Sequence, residues 1–188
     1  MKTLRVVIFI VFALIQLSVP ASVVWKREQT LKHGRVWKFK TEPIDPVDAI
    51  RGRYVALRLA AEKVRYSPAP NPSMLEPPIY AALKEDAHGF AYVDQLSAIP
   101  MAGDNIIKVE GYYWSGGWEN VRLPFEKLWI SEKIAPEAER AYRENSLRDK
   151  QNAYVTVRVR SGDAALEQLY IDGRPLVDYL RAHPRQKP

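Results

Sequence analysis

Three groups of residues in this 188-residue chain are of types that can do chemistry. The first is centred on a serine in the string Ser73-Met74-Leu75-Glu76-Pro77. A Ser–Lys hydrolase needs that hydroxyl within hydrogen-bond reach of a desolvated lysine. Five prolines between residues 67 and 78 make this stretch an exposed, extended loop. An enzyme centred on Ser73 is therefore the weakest reading. The second group is Glu110, Glu119 and Glu126, near enough along the chain for a glycoside-type carboxylate pair. Three glutamates on hairpin strands are more simply a solvated face. The third is the aromatic run Tyr112, Tyr113, Trp114, Trp118, Phe125 and Trp129. On adjoining strands such rings form core and cross-strand pairs. Gly116 and Gly117 leave room at the turn, so Tyr112, Tyr113, Trp114 and Trp118 are also a candidate face for a sugar or a partner. The chain has no cysteine, and His33, His88 and His183 are scattered, so no metal, cofactor or thiol chemistry is expected.

What must position these groups begins with an uncharged run. Lys2 and Arg5 precede residues 6–25, which Lys26 and Arg27 close. Twenty helical residues rise ~30 Å, the thickness of a bilayer's hydrocarbon. Residues 6–15 are solidly apolar, while Gln16, Ser18, Pro20 and Ser22 dilute the rest. A secretory signal with a cleavage site at Val19-Pro20-Ala21 fits that unevenness. A retained transmembrane anchor fits better, because Pro20 is a poor cleavage context and Val23, Val24 and Trp25 restore the apolar character. Cations beyond the run outnumber Lys2 and Arg5, but a long folded domain translocates largely regardless of charge. The N-terminus is thus read as cytoplasmic and residues 26–188 as outside.

Setting Lys2 and Arg5 aside from the formal +6 leaves +4 on that outer part, spread along the chain. With no helix carrying clustered Lys and Arg, nucleic-acid binding is not expected. A hydrophobic fraction of 47% against 27% charged residues predicts a folded globule.

Beyond residue 25 the dominant period is two. Residues 36–40, 54–64, 90–97, 105–113, 118–123 and 154–160 alternate as half-buried strands do. Residues 79–85 and 90–97 flank Asp86-Ala87-His88-Gly89, a hairpin connection, and Asp172-Gly173 is a second turn signal. Residues 136–147 are the one soluble helix, with Pro136 in its first turn and Glu139 four residues before Arg143. The sum is a mainly β fold. It is an antiparallel barrel- or sandwich-like domain of about ten short strands with one short helix, preceded by an N-terminal transmembrane helix.

Residues 43–59 read Pro-Ile-Asp-Pro-Val-Asp-Ala-Ile-Arg-Gly-Arg-Tyr-Val-Ala-Leu-Arg-Leu. This string resembles the signature of the bacterial GDYXXLXY family, Pro-x-Asp-Pro-x-Asp-x-x-Arg-Gly-Asp-Tyr-x-x-Leu-x-Tyr. Arg53 and Leu59 depart from it, standing where Asp and Tyr are usual. Leu31 and Gly34 before the signature and the closing 169–176 stretch extend the likeness over essentially the whole chain. The resemblance implies an N-terminally anchored envelope protein of unassigned function, found beside multi-pass membrane proteins, with no catalytic residues to carry over. The Ser73 string is also similar to a Ser-Met-x-Pro signal peptidase box, but it has one residue too many and follows the Gly52 strand instead of preceding it.

Asp45, Asp48, Arg51, Gly52, Arg53, Tyr54 and Leu57 form the signature corner. Asp45 and Asp48 can accept main-chain hydrogen bonds at a turn, Gly52 can release the chain into a strand, and Arg51 and Arg53 can pair with the aspartates. A structural corner is the simpler reading and a partner-binding corner the sharper one. Residues 1–25 are thus expected to be an anchor or signal-like segment, and residues 26–188 a β-rich extracytoplasmic domain. The expected setting is a bacterial inner membrane, single-pass, with the domain in the periplasm. The expected role is a non-enzymatic interaction domain contacting an integral membrane protein. A carbohydrate- or ligand-binding module using the aromatic face is the alternative.

Overall fold

The computed structural model describes residues 2–42, 54–64, 78–101, 103–115, 118–146, 150 and 152–183; Lys2, Leu4, Arg5, Trp114, Ser115, Trp118 and Glu119 are described by backbone alone. The first helix, α1 (Lys2–His33), runs through Pro20 and past the end of the apolar run. Its apolar stretch is long enough to cross a membrane, and none of it is buried against the rest of the chain. Only its last turns touch the domain. Thr30 is buried there, and the Gln29 amide oxygen accepts a 3.3 Å hydrogen bond from Arg160.

Gly34 joins helix to sheet. Its N–H donates to the Thr30 carbonyl at 2.8 Å, and its own carbonyl accepts from Arg158 at 3.3 Å. A Cβ here would stand 2.5 Å from the Thr30 carbonyl oxygen and 3.0 Å from that of Val159, so only glycine fits so close an approach. The chain then enters β1 (Arg35–Glu42), which turns Trp37, Phe39 and Thr41 inward, as a strand with one buried face does.

The expected strand at 54–64 keeps its alternation, with Val55, Leu57, Leu59 and Ala61 buried, yet it is not one strand. It divides into β2 (Tyr54–Ala56), β3 (Arg58–Leu59) and a single 3₁₀ turn at Ala60–Glu62. The cause is a change of partner, invisible to periodicity: β3 pairs with β1, while β2 pairs elsewhere. Next come β4 (Ile79–Glu85) and β5 (Ala91–Ser97), an antiparallel hairpin as expected. Asp86 builds its turn, accepting from the N–H groups of His88 and Phe90 at 2.9 Å each, and Gly89 takes the left-handed conformation.

The expected strand at 105–113 also divides. β6 (Ile106–Val109) pairs with β4, whereas β7 (Gly111–Ser115) pairs with β8 (Trp118–Arg122). β9 (Lys127–Trp129) is the partner of β2. The helix α2 (Ala135–Ser146) lays Ala138, Ala141 and Tyr142 on the core. β10 (Ala153–Arg160) and β11 (Asp163–Ile171) form the longest hairpin, followed by β12 (Arg174–Pro175).

A further helix, α3 (Leu176–Ala182), corrects the expectation of one short helix. Seven residues are under two turns, too few to show a helical period or to stand alone. Burial of Leu176 and a 3.2 Å hydrogen bond from Asn145 to the Tyr179 hydroxyl hold it in place.

Among the described residues the strands form four antiparallel sheets: β12-β11-β10-β1-β3, β5-β4-β6, β2-β9 and β7-β8. They surround one core and do not close into a barrel. Phe39 of β1 meets Phe125 at 5.1 Å within it, beside Leu83, Ile107, Val155 and Leu169. Apolar burial of this extent is the main stabilising term of such a domain.

Candidate functional site

The division of the 54–64 segment brings two separately predicted groups together. β2 lies against β9 with Tyr54 directly opposite Trp129, and their rings meet edge-on at 5.3 Å. The Lys127 ammonium stands 5.2 Å over the Tyr54 ring. One residue further, the Leu57 N–H donates to the Glu126 carbonyl at 2.8 Å. Lys63 forms an isolated bridge with Asn120 of β8, which ties the end of the same segment to the aromatic hairpin. The 3₁₀ turn is thus held between β1, β5 and β8.

Its last residue, Glu62, is half-buried and shares its surroundings with Glu126, Glu42, Arg58 and Tyr113. Burial pushes the Glu62 carboxyl up to about 7, and the Glu126 and Glu42 carboxylates push the same way. A main-chain hydrogen bond from Leu59 and the Arg58 guanidinium oppose the rise. Burial likewise raises Glu126, which Arg122 pulls down and Glu110 pushes up. Tyr113 is raised by burial and then by Glu62 and Glu126. Around the rim, Lys63 reaches Glu42 at 2.7 Å and Arg122 reaches Glu126 at 3.5 Å. The arrangement can keep a proton on one of two neighbouring carboxyl groups near neutral pH, with Tyr113 beside them.

Of the signature corner, Asp45, Asp48, Arg51, Gly52 and Arg53 lie outside the described residues, as does Ser73. Tyr54 and Leu57 are described: Tyr54 is half-buried against Trp129, and Leu57 is buried in the core. On the aromatic face, Tyr113 is 43% exposed and beside Glu62, while Tyr112 is partly buried against the core. Trp114 and Trp118 are strand residues of β7 and β8, opposite Glu119 and Ser115 respectively. Gly103-Asp104-Asn105 serves the core: the Asp104 carbonyl accepts from the Trp37 indole at 2.9 Å, and Leu83 donates to the Asn105 carbonyl at 2.8 Å. Among the described residues no cluster of His, Asp or Glu could hold a metal ion.

Sequence reasoning missed Glu62. In a continuous strand it falls on the outer face with Tyr54, Ala56 and Arg58, where a glutamate attracts no notice. What sets it apart is the approach of Glu126 and Tyr113 from other segments. The local hint is Ala60-Ala61, a small pair that lets the turn pack closely under β1 and β5.

The family model of the GDYXXLXY proteins matches residues 16–169, from the middle of α1 to two residues short of the end of β11. The chain belongs to the GDYXXLXY family. No curated protein and no solved structure matches it. In this GDYXXLXY protein the described part of the signature, residues 54–59, is the segment that passes from one sheet to another. Leu59, at the position of the family's last tyrosine, is 1% exposed and pairs with Thr41 of β1.

Proposed function

We propose that this GDYXXLXY protein is a single-pass, non-enzymatic interaction protein of a bacterial inner membrane, contacting an integral membrane protein. Residues 1–25 serve as the anchor and residues 26–188 as a periplasmic domain. The observation that carries the reading is at the centre of α1. Gln16 stands midway along the 6–25 run, exposed, and among the described residues its amide has no hydrogen-bond partner. In hydrocarbon an unpaired amide is costly, and a second helix supplies the partner it lacks. Nearby Ser18 and Ser22 bond back to Ile15 and Val19 at 2.7 Å each, so their polarity is already satisfied.

The short joint at Gly34 supports the same reading. With no linker between helix and sheet, anchoring fixes the domain at the membrane surface and raises its effective concentration at a partner there. Cross-linking in intact membranes, followed by pulldown through a tag after Pro188, tests the proposal. Wild type should recover an integral membrane protein, and Gln16→Leu should recover about threefold less, the effect of one interhelical hydrogen bond. A tag that resists added protease in spheroplasts, or equal recovery by Gln16→Leu, overturns it.

A further inference from the structure

Past Trp25, α1 continues for two turns that touch the domain at Gln29 and Thr30. Lys26, Arg27 and Thr30 on one side of these turns, with Val23 just before them, wall a cavity of about 840 Å³. Across it stand Lys108 and Glu110, at the end of β6, and Asp163, the first residue of β11. Spacings of three and four put the α1 residues on one helix face, as a shared wall requires. The volume is that of a small-ligand site.

The cavity opens where the uncharged run ends. With residues 6–25 across a bilayer, Lys26 and Arg27 lie at the headgroups. Its charge is mixed in a particular way. Lys26, Arg27 and Lys108 face it, and among the described residues none of them is in an ion pair. Glu110 and Asp163 bring two carboxylates to the same space. On its membrane side Val19 and Val23 are each 62% exposed. A smaller cavity of about 210 Å³ adjoins, sharing Arg27 and Glu110 and reaching Trp129, which is 64% exposed. An exposed tryptophan is a common anchor where a protein surface meets headgroups.

We propose that this cavity binds an amine-bearing zwitterionic glycerophospholipid. Its phosphodiester is held by Lys26, Arg27 and Lys108, its primary ammonium by Glu110 and Asp163, and an acyl chain follows Val23 and Val19 into the bilayer. Three cations with two carboxylates match a phosphate with an ammonium; a purely anionic headgroup leaves the carboxylates opposed, and a quaternary amine gives them no N–H to accept from. The inference rests on α1 being a membrane anchor.

The test offers the full-length chain, in detergent, equimolar ethanolamine-, choline- and glycerol-headgroup phospholipids with identical acyl chains, and counts bound lipids by native mass spectrometry. Wild type should retain the ethanolamine lipid preferentially. Arg27→Gln alone should lower retention about fivefold, and Lys26→Gln/Arg27→Gln/Lys108→Gln by a larger factor, from roughly one surface-cation contribution each. Arg27 sits on the helix outside the β domain, so its variant reports on the site even where the triple variant fails to fold. Glu110→Gln/Asp163→Asn should make ethanolamine and choline lipids equivalent. Removing the same charge at Lys133, Arg140 and Lys150 should change nothing. Retention unaffected by Arg27→Gln, a wild-type preference for the glycerol or choline lipid, or equal competition by free glycerophosphoethanolamine overturns the proposal. Carbonate extraction separates the two claims: a chain that stays in membranes yet shows no selective retention loses only the lipid site, and a chain that extracts loses the anchor as well.

Discussion

The β10–β11 hairpin and the 54–64 segment alternate apolar and polar residues equally well, and they end in different structures. β10 places Val155, Val157 and Val159 in the core opposite Leu169 and its neighbours, in register over eight pairs with one shift at Thr156/Val157. Its outer face carries an Arg158–Glu167 pair at 2.8 Å. The hairpin closes on itself through Ser161 and Gly162, at φ 51° and 92°. Segment 54–64 has no sequence-adjacent partner. It takes β9 for two-stranded pairing and then β1, bonding to the Glu126 carbonyl as it crosses. Where a turn supplies the partner, the pattern is a complete instruction; where the partner is distant, the pattern fixes which side chains are buried but not which sheet receives them.

That contrast predicts unequal damage. Leu169→Ala opens a cavity at a fully buried side chain of the five-stranded sheet and should cost about 2–5 kcal/mol. Denaturant unfolding of the detergent-solubilised chain, followed by tryptophan fluorescence, measures it. Val55→Ala removes less volume from a three-residue strand and should cost markedly less. Equal costs would mean that the short β2–β9 pairing is as strongly held as the hairpin, and the distinction fails.

The second contrast is electrostatic. β10–β11 pairs its half-buried Arg158 with Glu167, whereas 54–64 sets half-buried Glu62 beside other carboxylates, with its carboxyl pushed up to about 7 against an ordinary 4.5. A raised folded value means that the unfolded chain releases this proton first, so ionisation opposes folding. The contribution is fully present below pH about 4.5 and is lost as pH rises through about 7, up to about 3 kcal/mol less what solvent screening removes at a half-buried group. Melting temperature should therefore fall between pH 5 and pH 8. Glu62→Gln should abolish most of that fall, leaving the smaller share from Glu126, which burial also raises. A wild-type melting temperature that rises across the same interval would refute the assignment.

The legible parts of the fold were those whose cause is local. Asp86 and Gly89 announced the β4–β5 turn because side-chain capping and a left-handed residue act over four positions. Asp172 and Gly173, at φ 51° and 74°, did so for β11–β12, and the α2 helix matched its Glu139–Arg143 spacing at 2.8 Å. Illegible were the breaks at Leu57 and Glu110, where each residue's N–H donates to the carbonyl of a residue outside its own strand: Leu57 to Glu126, and Glu110 to Arg122. The same cause hid the site. Tyr113 and Glu126 were named for separate reasons, and their meeting around Glu62 depends on the crossing that those bonds create. α3 escaped because tertiary contacts hold seven residues that no periodicity marks.

The smallest effect examines that crossing most directly. Tyr54 and Trp129 are opposed across the β2–β9 pair with rings 5.3 Å apart, the edge-on geometry that contributes about 0.5–1.5 kcal/mol beyond area. A double-mutant cycle of Tyr54→Leu and Trp129→Leu isolates the coupling. In the detergent-solubilised chain it should fall within that range. Lys127 sits over the Tyr54 ring at 5.2 Å, so Lys127→Gln should weaken the Tyr54 side of the cycle by about 0.5–1 kcal/mol. Coupling near zero would mean that the two rings are neighbours by register alone. The signature's tyrosine would then owe its place to the chain entering β2 and not to the contact it makes there. A measured coupling identifies the Tyr54–Trp129 contact as one of the devices that hold the crossing segment against β9.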